Sequence, residues 1–189
     1  MHKEKTFVLI KPDGVQRNLI GKIINRFEET GLKIVALKML WPSQELAEKH
    51  YPLDEEWAKG IFAKTKASYE KDNKPFLFKD HIEIGKEIQK RLINFLTSSP
   101  VIAIILEGPH AVEITRKLVG STESRAALPG TIRGDFASIE SYAIADTKQR
   151  TIYNLIHASD SKATAEKEIA LWFSPNELHD YKKELDRHF

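Results

Sequence analysis

Four short apolar runs, separated by longer amphipathic segments, limit the folds open to this chain of 189 residues. The runs are rich in residues that favour β-structure, and they predict strands over residues 6–10, 33–40, 101–106 and 152–156. The run at 101–106 is strongly apolar and predicts a central strand. Apolar residues recur at helical spacing elsewhere, and they predict helices over residues 19–30, 53–74, 82–96, 109–119 and 163–173, with another after an N-cap at Ser43 and a tail helix from Pro175.

The order of these elements predicts an α+β fold. Strand–helix–strand is followed by further helices and then by strand–helix–loop–strand–helix, which is compatible with the ferredoxin-like βαββαβ pattern. We expect an antiparallel sheet with helices on one face, and a single domain over residues 1–189. Residues 120–134 have no clear hydrophobic period and predict a long irregular loop, a kind of segment that is often functional in compact domains.

Composition excludes several kinds of protein. The chain has no cysteine, so disulfides, thiolate metal sites and thiol catalysis are excluded. A formal net charge of +2 gives little support for nucleic-acid binding, and no apolar run is long enough to span a membrane. Because no signal peptide is recognisable either, these features predict a cytoplasmic protein.

The common nucleotide-binding and metal-binding motifs are missing from the sequence. It contains no Gly-x-x-x-x-Gly-Lys-Ser/Thr, no Gly-x-Gly-x-x-Gly, no His-Glu-x-x-His and no EF-hand loop. A phosphate site in this chain would therefore consist of side-chain cations and the irregular loop.

His157 is the candidate nucleophile. It lies between an apolar run and small polar residues in Asn154-Leu155-Ile156-His157-Ala158-Ser159-Asp160-Ser161, and an imidazole in such a place can attack phosphorus. Glu168 follows eleven positions later in a predicted helix, where its carboxylate could bond to the second ring nitrogen and fix the tautomer. The alternatives are a structural histidine at a strand end and a solvated helix glutamate.

Two basic side chains, Arg133 and Lys11, are candidates for binding phosphate. Arg133 lies in Pro129-Gly130-Thr131-Ile132-Arg133-Gly134-Asp135, where glycines allow close backbone approach and a guanidinium could grip phosphate oxygens in two places. The alternative is an ion pair between Arg133 and Asp135. Lys11, at the end of the first strand, is either a point charge for a phosphate or an edge residue that reaches solvent.

Two aromatic residues stand beside prolines, outside the helical faces. Tyr51 and Phe76 could stack on a nucleobase, because every base has a π-face. The alternative for both is ordinary core packing.

Taken together, these residues resemble the nucleoside diphosphate kinase family. The matching segments occur in the family's order over nearly the whole chain, and the ordered set is highly specific, although any single segment would be weak. The segments are residues 10–17 with Gly21, His50-Tyr51, Lys74-Pro75-Phe76, Arg116, Gly120-Ser121-Thr122, 129–136, 154–161 and 165–169.

The resemblance implies roles for individual residues. His157 would accept the phosphate, and Ser159 and Glu168 would orient its ring. The phosphates and the sugar would be held by Lys11, Arg116, Thr122, Arg133 and Asn154. Tyr51 and Phe76 would flank the site, with Phe76 stacking on the base. The implied cofactor is Mg²⁺, carried mainly on the nucleotide phosphates, with Asp160 as a helper that does not contact the metal directly.

The implied reaction is ping-pong transfer of the γ-phosphate of a nucleoside triphosphate to a nucleoside diphosphate, through a phosphohistidine at His157. The implied partners are these nucleotides and further copies of the chain, with a hexamer favoured and no membrane or specific nucleic acid. An alternative is a catalytically inactive nucleotide- or RNA-binding module on the same fold.

The chain departs from the family's pattern at three places. Ala158 replaces the glycine that usually follows the histidine. Residues 53–74 and 138–151 are insertions relative to the family. The sequence leaves open the preferred nucleobase, the oligomer size, the role of the insertions and the ring nitrogen that takes the phosphate.

Overall fold

The computed structural model of the chain describes residues 4–71, 73, 75–76 and 78–184. A four-stranded antiparallel sheet of strand order β2-β3-β1-β4 forms its centre. The strands are β1 (Glu4–Ile10), β2 (Lys33–Leu40), β3 (Val101–Gly108) and β4 (Ile156–Ala158). The strand order is that of the ferredoxin-like βαββαβ pattern, so the predicted α+β class is confirmed.

Nine helices connect and cover the strands in the described part of the chain. They are α1 (Pro12–Gln16), α2 (Ile20–Glu28), α3 (Gln44–His50), α4 (Glu55–Lys71), α5 (His81–Leu96), α6 (Ala111–Val119), α7 (Ile132–Phe136), α8 (Tyr142–Thr147) and α9 (Lys162–Trp172). Ser43 caps α3 as predicted, since its side chain accepts a hydrogen bond from the Leu46 N–H. Ser161 caps α9 in the same way through Thr164.

Both faces of the sheet are buried, because the central strands are apolar on both sides. Val8 and Ile10 of β1 enter a core that they share with α2 and α6. Phe7 and Leu9 point to the opposite face and enter a second core, with residues of α3, α5 and α9. The predicted layer of helices on one face is therefore present as α2 and α6, and a second layer covers the other face.

Strand β4 begins later than the predicted strand over residues 152–156. Leu155 has a φ of 67°, which interrupts extended backbone, and the strand starts only at Ile156. Helix α6 also begins later than residue 109, since His110 has a φ of 53° and the helix starts at Ala111. The irregular loop contains two short helical pieces, a 3-10 turn at Ser124–Ala126 and α7.

The end of the chain does not form the predicted tail helix in the part that the structure describes. A 3-10 turn at Pro175–Glu177 is followed by non-helical backbone over residues 178–183. The His179 N–H donates to the Val35 carbonyl at 2.8 Å, so this segment uses its backbone donors on β2 instead. The rest of the predicted tail and Lys74, one of the matched motif residues, lie outside the described residues.

Each of the two segments predicted as insertions contains a helix. Residues 53–74 contain α4, which packs against α5. Residues 138–151 contain α8, a helix that the sequence pattern does not predict. None of the helices in the described ranges combines the length and the apolar character that a membrane span requires.

Candidate active site

The sheet directs His157 toward the side of α3 and α9. His157 pairs with Leu9 across the β4–β1 ladder. Its neighbours Ile156 and Ala158 enter the core beneath α2 and α6. Because side chains alternate along a strand, His157 points to the opposite face, where its ring centroid lies 6.1 Å from that of Phe7.

A hydrogen-bonded chain of three side chains fixes the His157 ring. His157 Nε2 lies 2.7 Å from Glu168 Oε1, and the Ser159 hydroxyl donates to Glu168 Oε2 at 2.5 Å. Glu168 and Ser159 are buried, so Glu168 is not a solvated helix glutamate. A neutral ring facing a carboxylate carries its proton on Nε2. The Nδ1 lone pair is then available, and this atom has no protein hydrogen bond among the described residues.

His50, at the end of α3, is a site residue that the sequence did not single out. Its ring meets that of His157 edge-on, with centroids 4.7 Å apart and an interplanar angle of 84°. Trp172 Nε1–H donates to His50 Nδ1 at 3.2 Å. Burial lowers the pKa of His50 well below its usual value, and the neighbouring His157 and Lys11 act in the same direction. The only available signal was its place beside Tyr51 in a matched motif.

Lys11 is buried at the end of β1 and belongs to a polar network. Its Nζ donates to Asn154 Oδ1 at 2.7 Å, and Asn154 Nδ2 donates to the Thr122 carbonyl at 2.8 Å. Burial lowers the pKa of Lys11 to about 8; the Arg133 cation adds to this effect, and the Asp13 carboxylate opposes it. The alternative of an edge lysine reaching solvent is therefore wrong.

Arg133 is also buried, and it is bound to the backbone on two sides of the site. Its Nη1 donates to the Gly120 carbonyl at 2.9 Å, its Nη2 to the Ile156 carbonyl at 2.7 Å and its Nε to the Asn154 carbonyl at 3.2 Å. Three of the five guanidinium N–H groups are thus in use. Burial lowers the pKa of Arg133 to about 10, with a smaller effect of Arg116.

The alternative proposed for Arg133, an ion pair with Asp135, is wrong. Asp135 Oδ2 instead lies 2.8 Å from Arg26 Nη1, and the other oxygen of Asp135 accepts a hydrogen bond from the Gly130 N–H. The predicted two-point grip of a phosphate by Arg133 stays a prediction, and two of its N–H groups have no partner among the described residues.

Three further predicted residues are exposed, namely Arg116, Thr122 and Asp160. Arg116 and Asp160 line one open cleft, together with Lys162 at the start of α9. The pKa of Asp160 is lowered, mainly by a hydrogen bond from Thr164 and to a lesser extent by the Arg116 cation. Thr122 is exposed, and its carbonyl joins it to the network.

The two predicted aromatic residues have different surroundings. The ring centroids of Tyr51 and His50 are 4.5 Å apart, and burial raises the pKa of the Tyr51 hydroxyl. Phe76 belongs to an aromatic cluster at α4 and α5, formed with Phe62, Tyr69 and Phe78 at centroid distances of 5.1, 5.7 and 5.5 Å. Stacking of Phe76 on a base stays a prediction.

His50, His157 and Glu168 are close enough to be considered as metal ligands, since their ligand atoms lie within 4.8 Å of one another. The Nδ1 lone pair of His50 already accepts from Trp172, an indole that can only donate. Two imidazoles and one carboxylate are also a poor set for Mg²⁺, which prefers oxygen ligands and is usually bound through one or two carboxylates and substrate phosphates. Asp160 is an exposed carboxylate in the cleft beside Arg116, so it fits binding of Mg²⁺ through a carboxylate and substrate phosphates better than the two histidines do.

Comparison with known proteins points to one family. The family model for nucleoside diphosphate kinase matches residues 4–71 and 61–178. A nucleoside diphosphate kinase from Pyrobaculum aerophilum is 46% identical over an aligned length of 182 residues, and the match covers 94% of this chain and 99% of the relative.

Solved structures agree as well. An NDP kinase crystal structure from the same organism superposes with a TM-score of 0.91 at 43% identity, covering 95% of this chain and all of the other (100%). A nucleoside diphosphate kinase from Borrelia burgdorferi, solved as a transition-state mimic with bound vanadate and ADP, gives a TM-score of 0.79 at 38% identity, covering 98% of this chain and 96% of the other. The chain therefore belongs to the nucleoside diphosphate kinase family.

Proposed function

We propose that this protein transfers the γ-phosphate of a nucleoside triphosphate to a nucleoside diphosphate, and that His157 carries the phosphate between the two. The observation that carries the proposal is the 2.7 Å contact between His157 Nε2 and Glu168, which leaves Nδ1 as the free nitrogen of a fixed ring. Family membership supports the reaction class. A relative whose structure contains bound vanadate and ADP supports nucleotide binding.

The reaction has two half-steps. The Nδ1 lone pair of His157 attacks the γ-phosphorus, a P–N bond forms, and the bond from phosphorus to the β–γ bridging oxygen breaks as the diphosphate leaves. The proton on Nε2 stays on the ring, and Glu168 stabilises the positive charge that develops there. A second diphosphate then attacks the phosphohistidine, and the imidazole leaves with the electron pair of the P–N bond.

The basic residues supply charge and position, which are the main needs of phosphoryl transfer. Lys11 would meet the transferred phosphate as a cation, held in place by Asn154. Arg116, at the exposed cleft, and the two remaining N–H groups of Arg133 would bind the other phosphate oxygens. Thr122 and Asn154 would contact the phosphates and the sugar. Mg²⁺ carried on the nucleotide would neutralise the negative charge of the phosphates. The Asp160 carboxylate would assist without binding the metal directly.

Tyr51 and Phe76 are proposed to flank the nucleotide, with Phe76 under the base. Stacking without base-edge hydrogen bonds would give low selectivity among nucleobases. The aromatic cluster at α4 and α5 would then have to offer one face of the Phe76 ring to the ligand, which its half-buried state allows.

Further copies of the chain are proposed as partners, with a hexamer favoured. Leu37 and Met39 in the edge strand β2, and Trp41 just after it, are 48%, 57% and 62% exposed. Exposed apolar side chains along an edge strand favour association. The native mass tests the oligomer, and cell fractionation tests the predicted cytoplasmic location.

The inactive binding module is the weaker candidate, because such a module would have no use for the buried Glu168–Ser159 support of His157. Label exchange separates the two functions. Protein incubated with γ-labelled ATP should take up an acid-labile, base-stable label and pass it to GDP, and His157→Ala should do neither. His81→Ala, which removes a partly exposed histidine at the start of α5, is the matched control and should behave as wild type. Label that persists in His157→Ala would refute the assignment.

A further inference from the structure

The backbone immediately before His157 is strained. Leu155 is fully buried and has a φ of 67°, a value that leucine rarely adopts. The Ile156 N–H donates to the Asn154 carbonyl at 2.8 Å, which closes a three-residue γ-turn around Leu155. A γ-turn with positive φ is rare, and such strain persists only where the surroundings determine the conformation.

The segment after β1 holds both polar groups of the strained residue. The Leu155 N–H donates to Asp13 Oδ2 at 2.9 Å, and the Leu155 carbonyl accepts from the Lys11 N–H at 2.8 Å. Gly14 allows this close approach, since a β-carbon there would lie 3.0 Å from the Leu155 carbonyl oxygen. Arg133 holds the residues on either side, through the carbonyls of Asn154 and Ile156.

Asp13 is an unusual residue to bury for structural reasons alone. It is only 4% exposed, and its Oδ1 has no hydrogen-bond partner among the described residues. Burial raises the pKa of Asp13, an effect that the nearby Lys11 cation opposes. A buried carboxylate with one free oxygen costs folding free energy. Asp13 lies beside the backbone that carries the nucleophile, and a role in the site accounts for this cost.

We propose that Asp13 is a positioning residue for phosphoryl transfer: its carboxylate holds the γ-turn at Leu155, and the turn fixes where His157 enters β4. Glu168 fixes the rotation of the ring, whereas Asp13 fixes the backbone that carries the ring. This inference rests on the proposed function of His157. Without the acceptor, Leu155 relaxes toward negative φ, and the imidazole moves relative to the bound phosphate although the nucleotide contacts are intact.

The test compares two substitutions of the same residue at pH 6.5, where Lys11 is charged. Asp13→Ala removes the acceptor, and the single-turnover rate of His157 phosphorylation should fall by roughly 10- to 100-fold, the cost of a misplaced reacting group. The dissociation constant for ADP should change by less than about threefold, a change worth under 1 kcal/mol. Asp13→Asn keeps an oxygen for the Leu155 N–H and should restore the rate to within about threefold of wild type.

Asp80→Ala is the matched control. Asp80 also accepts from backbone N–H groups, those of Ile82 and Glu83, but it does so at the start of α5. Its loss should lower the thermal stability while the phosphorylation rate per folded molecule stays at the wild-type value. A rate loss in Asp80→Ala equal to that in Asp13→Ala would assign the effect to stability and overturn the proposal.

A further measurement needs no variant, in case Asp13→Ala does not fold. The Leu155 amide of the wild-type protein should exchange slowly with solvent, because it is buried and bonded to the carboxylate; rapid exchange in the folded protein would overturn the proposal. Wild-type protein that takes no label from ATP would refute the proposed function, and the positioning role with it. Wild-type labelling together with an unimpaired Asp13→Ala variant would refute the positioning role alone.

Discussion

Glu168 gives the most quantitative prediction about the site. Its carboxylate faces two partners at once, His157 Nε2 at 2.7 Å and the Ser159 hydroxyl at 2.5 Å. During phosphoryl transfer the imidazole gains positive charge, so the contact with a carboxylate becomes stronger in the transition state than in the resting ring. Only interactions that strengthen in this way raise the rate of the chemical step.

Two substitutions separate charge from orientation. Glu168→Gln keeps an acceptor for His157 Nε2–H and can donate its amide to Ser159, whose hydroxyl can turn toward the Phe7 carbonyl. Hydrogen bonds to ionised groups are about twice as strong as neutral ones. The loss is then about 1–1.5 kcal/mol, or roughly tenfold in rate. Glu168→Ala removes the bond entirely, at about 1.5–3 kcal/mol, or roughly 10- to 150-fold.

The assay is single-turnover formation of phosphohistidine from γ-labelled ATP in a quenched-flow instrument. Wild type should be fastest, followed by Glu168→Gln and then Glu168→Ala, with similar ATP concentrations at half-maximal rate. Ser159→Ala leaves His157 bonded to Glu168 but removes the hydrogen bond to the other carboxylate oxygen. Its single-turnover rate should lie between those of wild type and Glu168→Ala. Wild-type rates in Glu168→Ala would refute the reasoning, because they would show that the ring needs neither orientation nor charge compensation from this residue.

Other predictions concern pH, stability and the base. Since folded Lys11 has a pKa of about 8, kcat/KM should fall as pH rises through about 8, and Lys11→Arg should lack that step. In the unfolded chain Lys11 keeps its proton up to a pH of about 10.4. Between pH values of about 8 and about 10.4 the unfolded state therefore binds one more proton than the folded state, so the free energy of unfolding should rise with pH. Leu106→Ala, in the fully buried part of β3, should cost about 2–5 kcal/mol in urea unfolding without changing the activity per folded molecule. Phe76→Ala should weaken ADP binding by about 1–3 kcal/mol in calorimetry, and unchanged affinity would confine Phe76 to the aromatic cluster at α4 and α5.

The sequence predicts the parts of this protein that depend on local pattern. The predicted second strand coincides with β2, Lys33–Leu40. The pairing of His157 with Glu168 was also predictable, because a helix that follows a strand packs back onto the sheet. Their contact at 2.7 Å agrees with that expectation.

The features that were missed depend on contacts between distant parts of the chain. Strand β4 starts late because Asp13, far away in sequence, binds the Leu155 N–H and stabilises a turn that the apolar pattern does not indicate. His50 reaches the site only because α3 and α9 pack on the same face, which brings Trp172 to its ring. Neither contact has a signal in residue spacing. The second helix layer follows from the continuous apolar run of β3, which requires cover on both faces.

The measurement that tests the account most directly identifies the nitrogen of His157 that takes the phosphate. Protein labelled from ATP can be hydrolysed in alkali, and the two isomers of phosphohistidine can be separated by chromatography. Because Glu168 occupies Nε2, we predict the isomer phosphorylated at Nδ1, with none from His157→Ala. Phosphate on Nε2 would contradict the account, since it would require the contact with Glu168 to break before the reaction begins.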